Sequence, residues 1–352
     1  MRTLASIQTI HSNEPIPKAD AIERLRVLGW WVVAKKGEFV PGDKVVYCEI
    51  DSLLPERAEF EFLRSSSYKT AQIEGGAVVQ RAGFRIKTVK LRGQVSQGIC
   101  FPLSILPPGT PTEIGSDVSD AIGIIKYEPP IAMGMSGRVR GGFPGFLSKT
   151  DETRVQVLEP VLLRHTGKTF YQTEKLDGTS FTAFLRDGQF GICSRNLWMD
   201  ETDETNLLVK VAREIDLEAK LRSIHAKHGF WPAIQGEIIG PGIQKNRYAR
   251  KVAELHVFNV LNPDLAQLVD RDTGVSLVNE VGLQGVPQLG TLVLNHSIDE
   301  LVMLSAGPSV LNPQVPREGI VLRPATEEFD ETLGGRLSFK IINPQFLLKF
   351  DE

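Results

Sequence analysis

The chain has 352 residues, 41% of them hydrophobic and 24% charged, an ordinary composition for a soluble globular protein with length for about two domains. A formal net charge of −3 excludes a uniformly basic nucleic-acid coat, although it leaves room for a local basic groove. The three cysteines, Cys48, Cys100 and Cys193, have no zinc or disulfide spacing, the N-terminus has no signal-peptide core, and no apolar run approaches about 18 residues, so a cytoplasmic protein is expected.

Residues 1–125 read as a β-rich domain. Short strands are expected at 32–34, 44–50, 84–91 and 98–101, with a Pro41-Gly42-Asp43 turn beside the second. Short strands between turns suggest a small barrel, and the OB-like barrel is a common fold of this kind that binds oligonucleotides. Arg81, Arg85, Lys87, Lys90 and Arg92 make its last hairpin basic; a solvated strand face and a phosphate-contacting face fit equally well.

From about 106 to 150 proline and glycine accumulate, and 126–150 is expected to be a linker. Within it Gly137-Arg138-Val139-Arg140-Gly141-Gly142 combines charge with flexibility, which suits either a bare connection or contact with a nucleic-acid backbone. The second domain is expected over 151–352, with Thr150 or Asp151 as a helix cap.

A strand at 169–173 delivers Lys175 to the turn Glu174-Lys175-Leu176-Asp177-Gly178. A lysine is a nucleophile only when deprotonated, and reactive lysines are brought from a pKa of about 10.4 to roughly 7–8 by burial or nearby positive charge. A metal ion held by Asp177 could supply that charge, and Gly178 would allow a sharp turn and close ligand approach. Taken alone, the same four residues also describe a solvated β-turn.

The runs 181–185 and 190–196 flank an Asp187-Gly188 turn, a hairpin that would return Arg195 towards Lys175. Residues 204–228 show the clearest helical period, through Leu207, Leu208, Val211, Ile215, Leu221 and Ile224, with Gly229 and Pro232 as its stop. His225 and His228 on it read as surface residues. The strand 233–239 carries Glu237 at its centre; burying a bare carboxylate is costly, so it needs either a core salt bridge or a metal ion. Strand 255–260 contains Phe258, by default a core residue. Strand 317–323 repeats the acidic pattern with Glu318, and strand 337–342 contains Lys340. Gly167-Lys168-Thr169 is no phosphate loop, because Leu162 stands where that motif needs glycine.

In order, Lys175-Leu176-Asp177-Gly178, Ser194-Arg195-Asn196, Gly236-Glu237, Val257-Phe258-Asn259-Val260, Glu318-Gly319-Ile320-Val321 and Lys340 resemble the motifs of the covalent nucleotidyltransferases, the superfamily of ATP-dependent ligases and RNA-capping guanylyltransferases. The N-terminal half, through 39–47, Leu91-Arg92-Gly93, Ser96-Gln97-Gly98 and Lys149-Thr150-Asp151-Glu152, is similar to the nick-sealing RNA ligases of the Deinococcus and Naegleria type. The resemblance implies an α+β protein: an N-terminal OB-like barrel followed by an adenylyltransferase domain of antiparallel sheets flanked by helices.

It further implies ATP as cofactor, a covalent lysyl-AMP on Lys175, transfer of AMP to a 5′-phosphate end, and sealing by a 3′-hydroxyl. By that pattern Asp177, Glu237 and Glu318 hold a hydrated Mg²⁺ or Mn²⁺, Arg195 and Lys340 neutralise phosphate, and Phe258 stacks on adenine. Glu174 faces the base, while Gly178 and Asn196 complete the nucleotide site. Only twelve residues follow Lys340, so the downstream OB domain of most DNA ligases and capping enzymes is not expected. The expected partner is a nicked duplex containing RNA, and the expected form is a monomer. A DNA ligase, a capping-like enzyme and a catalytically silent nucleic-acid-binding protein are the alternatives. One departure is Ile342, where many relatives carry a second lysine; Lys349 is the nearby candidate to replace it.

Overall fold

The structure is a computed structural model and describes residues 3–74, 77–129 and 137–350. The chain divides into two compact units.

Alternation of buried and exposed side chains builds the first unit. Its strands Ala5–Pro15 (β1), Ile22–Val27 (β2), Trp30–Lys35 (β3), Lys44–Cys48 (β4) and Ile99–Pro102 (β5) pair antiparallel in the order β5-β4-β1-β2-β3. Leu25, Val27, Trp30 and Val32 point into a core shared with Ile10, Val45, Tyr47 and Cys100. β1 serves two half-sheets: residues 5–9 pair with β4, the following ones pair with β2, and the register shifts between Ile10 and Ser12. A strand bent at such an irregularity is how a small sheet turns the corner of a barrel.

A second sheet in this unit orders Ile125–Lys126, Ser52–Leu54, Gly83–Arg85 and Tyr68–Lys69. The single strand expected over 84–91 is therefore two, because Val89–Leu91 pairs instead with Gln94–Ser96. Between them Ile86 is tied by backbone hydrogen bonds to residues 51 and 52, and Thr88 accepts from Gln97 Nε2 at 3.2 Å, so the chain changes partners.

Two large sheets and the small ribbon of Phe329–Asp330 with Gly335–Arg336 are found among the described residues of the second unit. One runs Val139–Gly142, Leu197–Met199, Gln189–Cys193, Thr179–Arg186, Ala233–Ile239, Glu254–Asn262 and Gln267–Leu268. The other runs Thr153–Arg154, Phe339–Ile342, Gly319–Pro324, Thr169–Lys175 and Gln288–Val293. We label the strands that carry the site β6 (Thr169–Lys175), β7 (Thr179–Arg186), β8 (Gln189–Cys193), β9 (Ala233–Ile239), β10 (Glu254–Asn262), β11 (Gly319–Pro324) and β12 (Phe339–Ile342). The β7–β8 hairpin closes through Asp187 and Gly188 at φ 49° and 78°, the left-handed pair that a tight hairpin turn requires.

The helix expected over 204–228 is two helices, α1 (Leu207–Glu214) and α2 (Leu217–His228). The break falls at Asp216, which takes a left-handed φ of 51°, and aspartate tolerates that conformation better than most residues. Asn206 caps α1 through its side chain, and Gly229 ends α2 as expected. Both helices cover the first sheet, with Leu208, Val211, Leu221 and Ile224 against Phe181, Ile192 and Ile234. Thr150 and Asp151 cap no helix; their segment leads into the short strand Thr153–Arg154.

The two units group the chain differently from the expected division at 125 and 150. The second starts inside the expected linker, because Val139–Gly142 pairs with Leu197–Met199 as a sheet edge. Residues 130–136 of that linker lie outside the described residues. The helix Pro344–Phe350, which carries Lys349, groups with the first unit, as do residues 156–159. Among the described residues no helix is long and apolar enough to cross a membrane.

Candidate active site

Strand register assembles the site. Lys175 ends β6 opposite Gly319 of β11, so Glu318, one residue before β11, comes alongside it. Lys175 Nζ donates to Glu318 Oε1 at 2.6 Å. On the far side of β11, β12 sets Lys340 opposite Val321. The other sheet contributes Glu237 of β9, opposite Ser180 of β7, and Phe258 of β10. Arg195 follows the end of β8. Lys175, Asp177, Arg195, Glu237, Phe258, Glu318 and Lys340 all line one cavity of about 350 Å³, together with Glu174 and Gly178. Of the expected site residues, Asn196 does not line it; its side chain accepts from Lys149 Nζ at 3.0 Å.

Gly178 has a reason other than the expected turn. Its φ is not left-handed, but a Cβ there would lie 2.3 Å from the Ile238 carbonyl oxygen of the neighbouring strand. The residue is glycine so that the loop after Lys175 can lie against β9.

The charges are coupled. Burial alone would lower the Lys175 pKa, but the Glu318 and Glu237 carboxylates outweigh it and hold the amine above its usual value. With only these neighbours Lys175 is an ammonium, the reverse of the lowered pKa expected of a nucleophile. Burial pushes Glu237 up to about 7, partly offset by Lys175. Burial also raises Glu174, which is 1% exposed; Ser309 and the Val310 N–H, which donates to Glu174 Oε2 at 2.8 Å, offset this in part.

Asp177 stands apart from the other two acids. Its carboxylate is paired with Arg247, and its N–H donates to Tyr248 Oη at 2.7 Å. Among the described residues no three acidic, histidine or cysteine side chains converge closely enough to hold a metal ion directly. Glu318 Oε2 is nevertheless buried without a hydrogen-bond partner, beside a Glu237 that burial makes reluctant to ionise. Two such carboxylates suit a hard cation that brings its own water ligands.

Several contributors were not singled out by the sequence. Arg247 and Tyr248 follow Gln244, Lys245 and Asn246, three successive residues at φ 43°, 56° and 49°, a left-handed stretch with no periodic signature. The segment 149–152, which the sequence did mark as a motif but without a role, reaches the site residue by residue: Lys149 to Asn196, Thr150 Oγ1 to Ser180 Oγ at 3.2 Å, Asp151 to Arg195, and Glu152 to Arg323. Arg323 Nη1 also donates to the Phe258 carbonyl and to Asn259 Oδ1, both at 2.9 Å, and so fixes the strand that presents the ring. Ile342 is 3% exposed and part of the core, so the position of the missing second lysine holds an apolar side chain.

Comparison with known proteins places this geometry in context. A family profile described as RNA ligase matches residues 168–342, and an OB-fold domain profile matches residues 4–103. Among solved structures, the Naegleria gruberi RNA ligase with PPi superposes with a TM-score of 0.87 at 37% identity, covering 99% of this chain and 98% of that one. A variant of the same ligase with ATP and Mn gives 0.88 at 36% identity over 100% of both chains. Another variant, with AMP and Mn, gives 0.87 at 37% identity over 98% of each. The search of curated proteins gave no match.

Proposed function

Because the chain belongs to the RNA ligase family, we propose that it uses ATP to seal 3′-OH/5′-phosphate nicks in RNA-containing duplexes, acting as a monomer in cytoplasmic RNA repair. The observation that carries this reading is the cavity in which Lys175 meets the Glu237 and Glu318 carboxylates, the Arg195 and Lys340 cations and the Phe258 ring.

In this reading Lys175 Nζ attacks the α-phosphorus of ATP; a P–N bond forms, the bond to pyrophosphate breaks, and AMP stays on the enzyme. An oxygen of a 5′-phosphate end attacks the AMP phosphorus, and the P–N bond breaks. The 3′-hydroxyl then attacks the activated 5′-phosphorus, and AMP leaves. Such transfers depend mainly on positioning and charge neutralisation. Arg195 and Lys340 serve as the phosphate cations. Phe258 offers its face to adenine and Glu174 the base-edge contact. Gly178 admits the nucleotide closely, and Asn196 steadies the Arg195 turn.

Glu237 and Glu318, with Asp177 through water, would hold Mg²⁺ or Mn²⁺, whose charge would favour the neutral amine of Lys175 and offset phosphate charge. The donor set fits, since an unpartnered oxygen on Glu318 and a carboxyl raised to about 7 on Glu237 are positions that a cation relieves. Without that relief Glu318 and Glu237 keep the proton on Lys175.

The test is sealing of matched nicks made of all RNA, of RNA and DNA on alternate sides, and of all DNA. Sealing is expected wherever RNA supplies the 3′-hydroxyl side. Efficient sealing of the all-DNA nick would overturn the RNA specificity, and absence of sealing on every substrate would overturn the ligase reading.

A further inference from the structure

We propose that Arg247 is a positioning residue for adenylylation: from behind the cavity wall it aims the Asp177 carboxylate, and the strained loop 244–249 places it there. What Asp177 does once aimed rests on the ligase reading; the grip on it rests on geometry.

Four of the six residues from Gln244 to Ala249 have a left-handed φ, 43° at Gln244, 56° at Lys245, 49° at Asn246 and 52° at Ala249, and none of the four is glycine. Residues with a Cβ avoid that region, asparagine less than the others, so the loop is held against its own preference. Asn246 exchanges two hydrogen bonds with Arg250: its Nδ2 donates to the Arg250 carbonyl at 2.8 Å, and its Oδ1 accepts from the Arg250 N–H at 2.9 Å. Asn312 Nδ2 donates to the Arg247 carbonyl at 2.9 Å. Strain that surrounding bonds keep in place points to a purpose at that position.

The outcome is that two consecutive residues turn to the same target. In a strand neighbouring side chains point to opposite faces, yet here Arg247 pairs with the Asp177 carboxylate while Tyr248 Oη accepts from the Asp177 N–H at 2.7 Å. Gln244 Nε2 reaches the next carbonyl, that of Gly178, at 3.5 Å. The Tyr248 ring packs in a buried cluster with Leu176, Ile239 and Val286, which anchors the loop to the turn after Lys175. The Arg247 and Asp177 side chains are each 8% exposed, and of the two only Asp177 lines the cavity. A buried ion pair adds little stability over packed apolar residues of the same volume, so stability alone does not account for this one. A carboxylate gripped from behind keeps one orientation towards whatever enters the cavity, which is what the partners of ligand carboxylates do in metal sites.

The experiment is a double-mutant cycle on the full chain. It reads the maximal single-turnover rate of self-adenylylation with Mg²⁺, the ATP concentration that gives half that rate, and stability in denaturant. Arg247→Gln is expected to slow the maximal rate about 10–100-fold, with the half-saturating ATP concentration kept within about twofold. Arg247→Lys keeps the charge and loses the fork, and its rate is expected between that of Arg247→Gln and the wild type. Arg247→Gln leaves a buried carboxylate unpaired and is expected to lose stability; adding Asp177→Asn removes both charges and is expected to regain part of it. In the Asp177→Asn background, itself slow, Arg247→Gln is expected to change the rate less than about twofold, because Arg247 acts through that carboxylate. If Arg247→Gln does not fold, Arg247→Lys takes its place in the cycle. An equal loss of rate in both backgrounds, an unchanged or faster rate in the Arg247 variant alone, or a loss confined to ATP affinity would overturn the proposal and leave the ligase reading standing. Absence of adenylylation in the wild type would strike the ligase reading and this proposal with it.

Discussion

Burial and neighbouring charge together set the states of Lys175 and Glu237. Glu237 has a folded pKa of about 7 against an ordinary 4.5. The folded protein therefore holds a proton that the unfolded chain has released, and stability falls as pH rises from about 4.5 to 7. At pH 8 this amounts to about 3 kcal/mol. Glu237→Gln imitates the protonated form, so without divalent cations it should raise the pH 8 melting temperature and flatten the pH dependence in that window. The same variant should lose adenylylation. A lower melting temperature at pH 8 would show that the charged form is the stable one.

At this scale much was legible. Lys175, Arg195, Glu237, Phe258, Glu318 and Lys340 each stand in a short motif, and all line one cavity. Arg247 was not legible, because its pairing with Asp177 depends on a left-handed loop that no sequence period reports. Nor could residue type reveal the direction of the Lys175 shift, which is set by how near Glu318 lies.

Strands and their connections decide how firmly those residues are held. Gly178 lies against β9, and a Cβ there would meet a carbonyl oxygen that has no freedom to move aside. Gly178→Ala should destabilise by about 1–3 kcal/mol, measured by denaturant melting, and should slow adenylylation more than it weakens ATP binding. Tyr248→Phe removes the acceptor of the Asp177 N–H and should cost about 1–2 kcal/mol; a change below 0.5 kcal/mol, on the scale of an ordinary surface substitution, would mean that the bond contributes little.

Strand existence was readable from alternation and turn residues, as in the β7–β8 hairpin. Boundaries were not. The break at Asp216 interrupts an apolar period that continues through it, and the partner change near Ile86 depends on residues about 35 positions away in sequence. The helix Ile298–Ser305 carries a complete Ser297–Glu300 capping box, a signal present in the sequence but accompanied by too short a period to stand out.

Across the whole molecule, the order of the two folds was legible and their borders were not. A glycine-rich stretch such as 137–142 reads as linker, yet it supplies a sheet edge, because backbone pairing needs no distinctive side chains. The three cysteines spread over both units are all buried and unpaired, and burial pushes their thiols up, Cys193 to about 12. A thiol reagent at pH 8 should therefore label none of them in the native protein and all three in denaturant; rapid native labelling would mean that a unit opens locally.

The central claim is that Lys175 forms a phosphoramidate with AMP. The direct measurement is incubation with α-labelled ATP and Mg²⁺ or Mn²⁺, followed by peptide mass spectrometry. The account predicts one acid-labile AMP on the peptide containing Lys175 and none on Lys175→Ala. AMP on another residue, or undiminished label on Lys175→Ala, would contradict it.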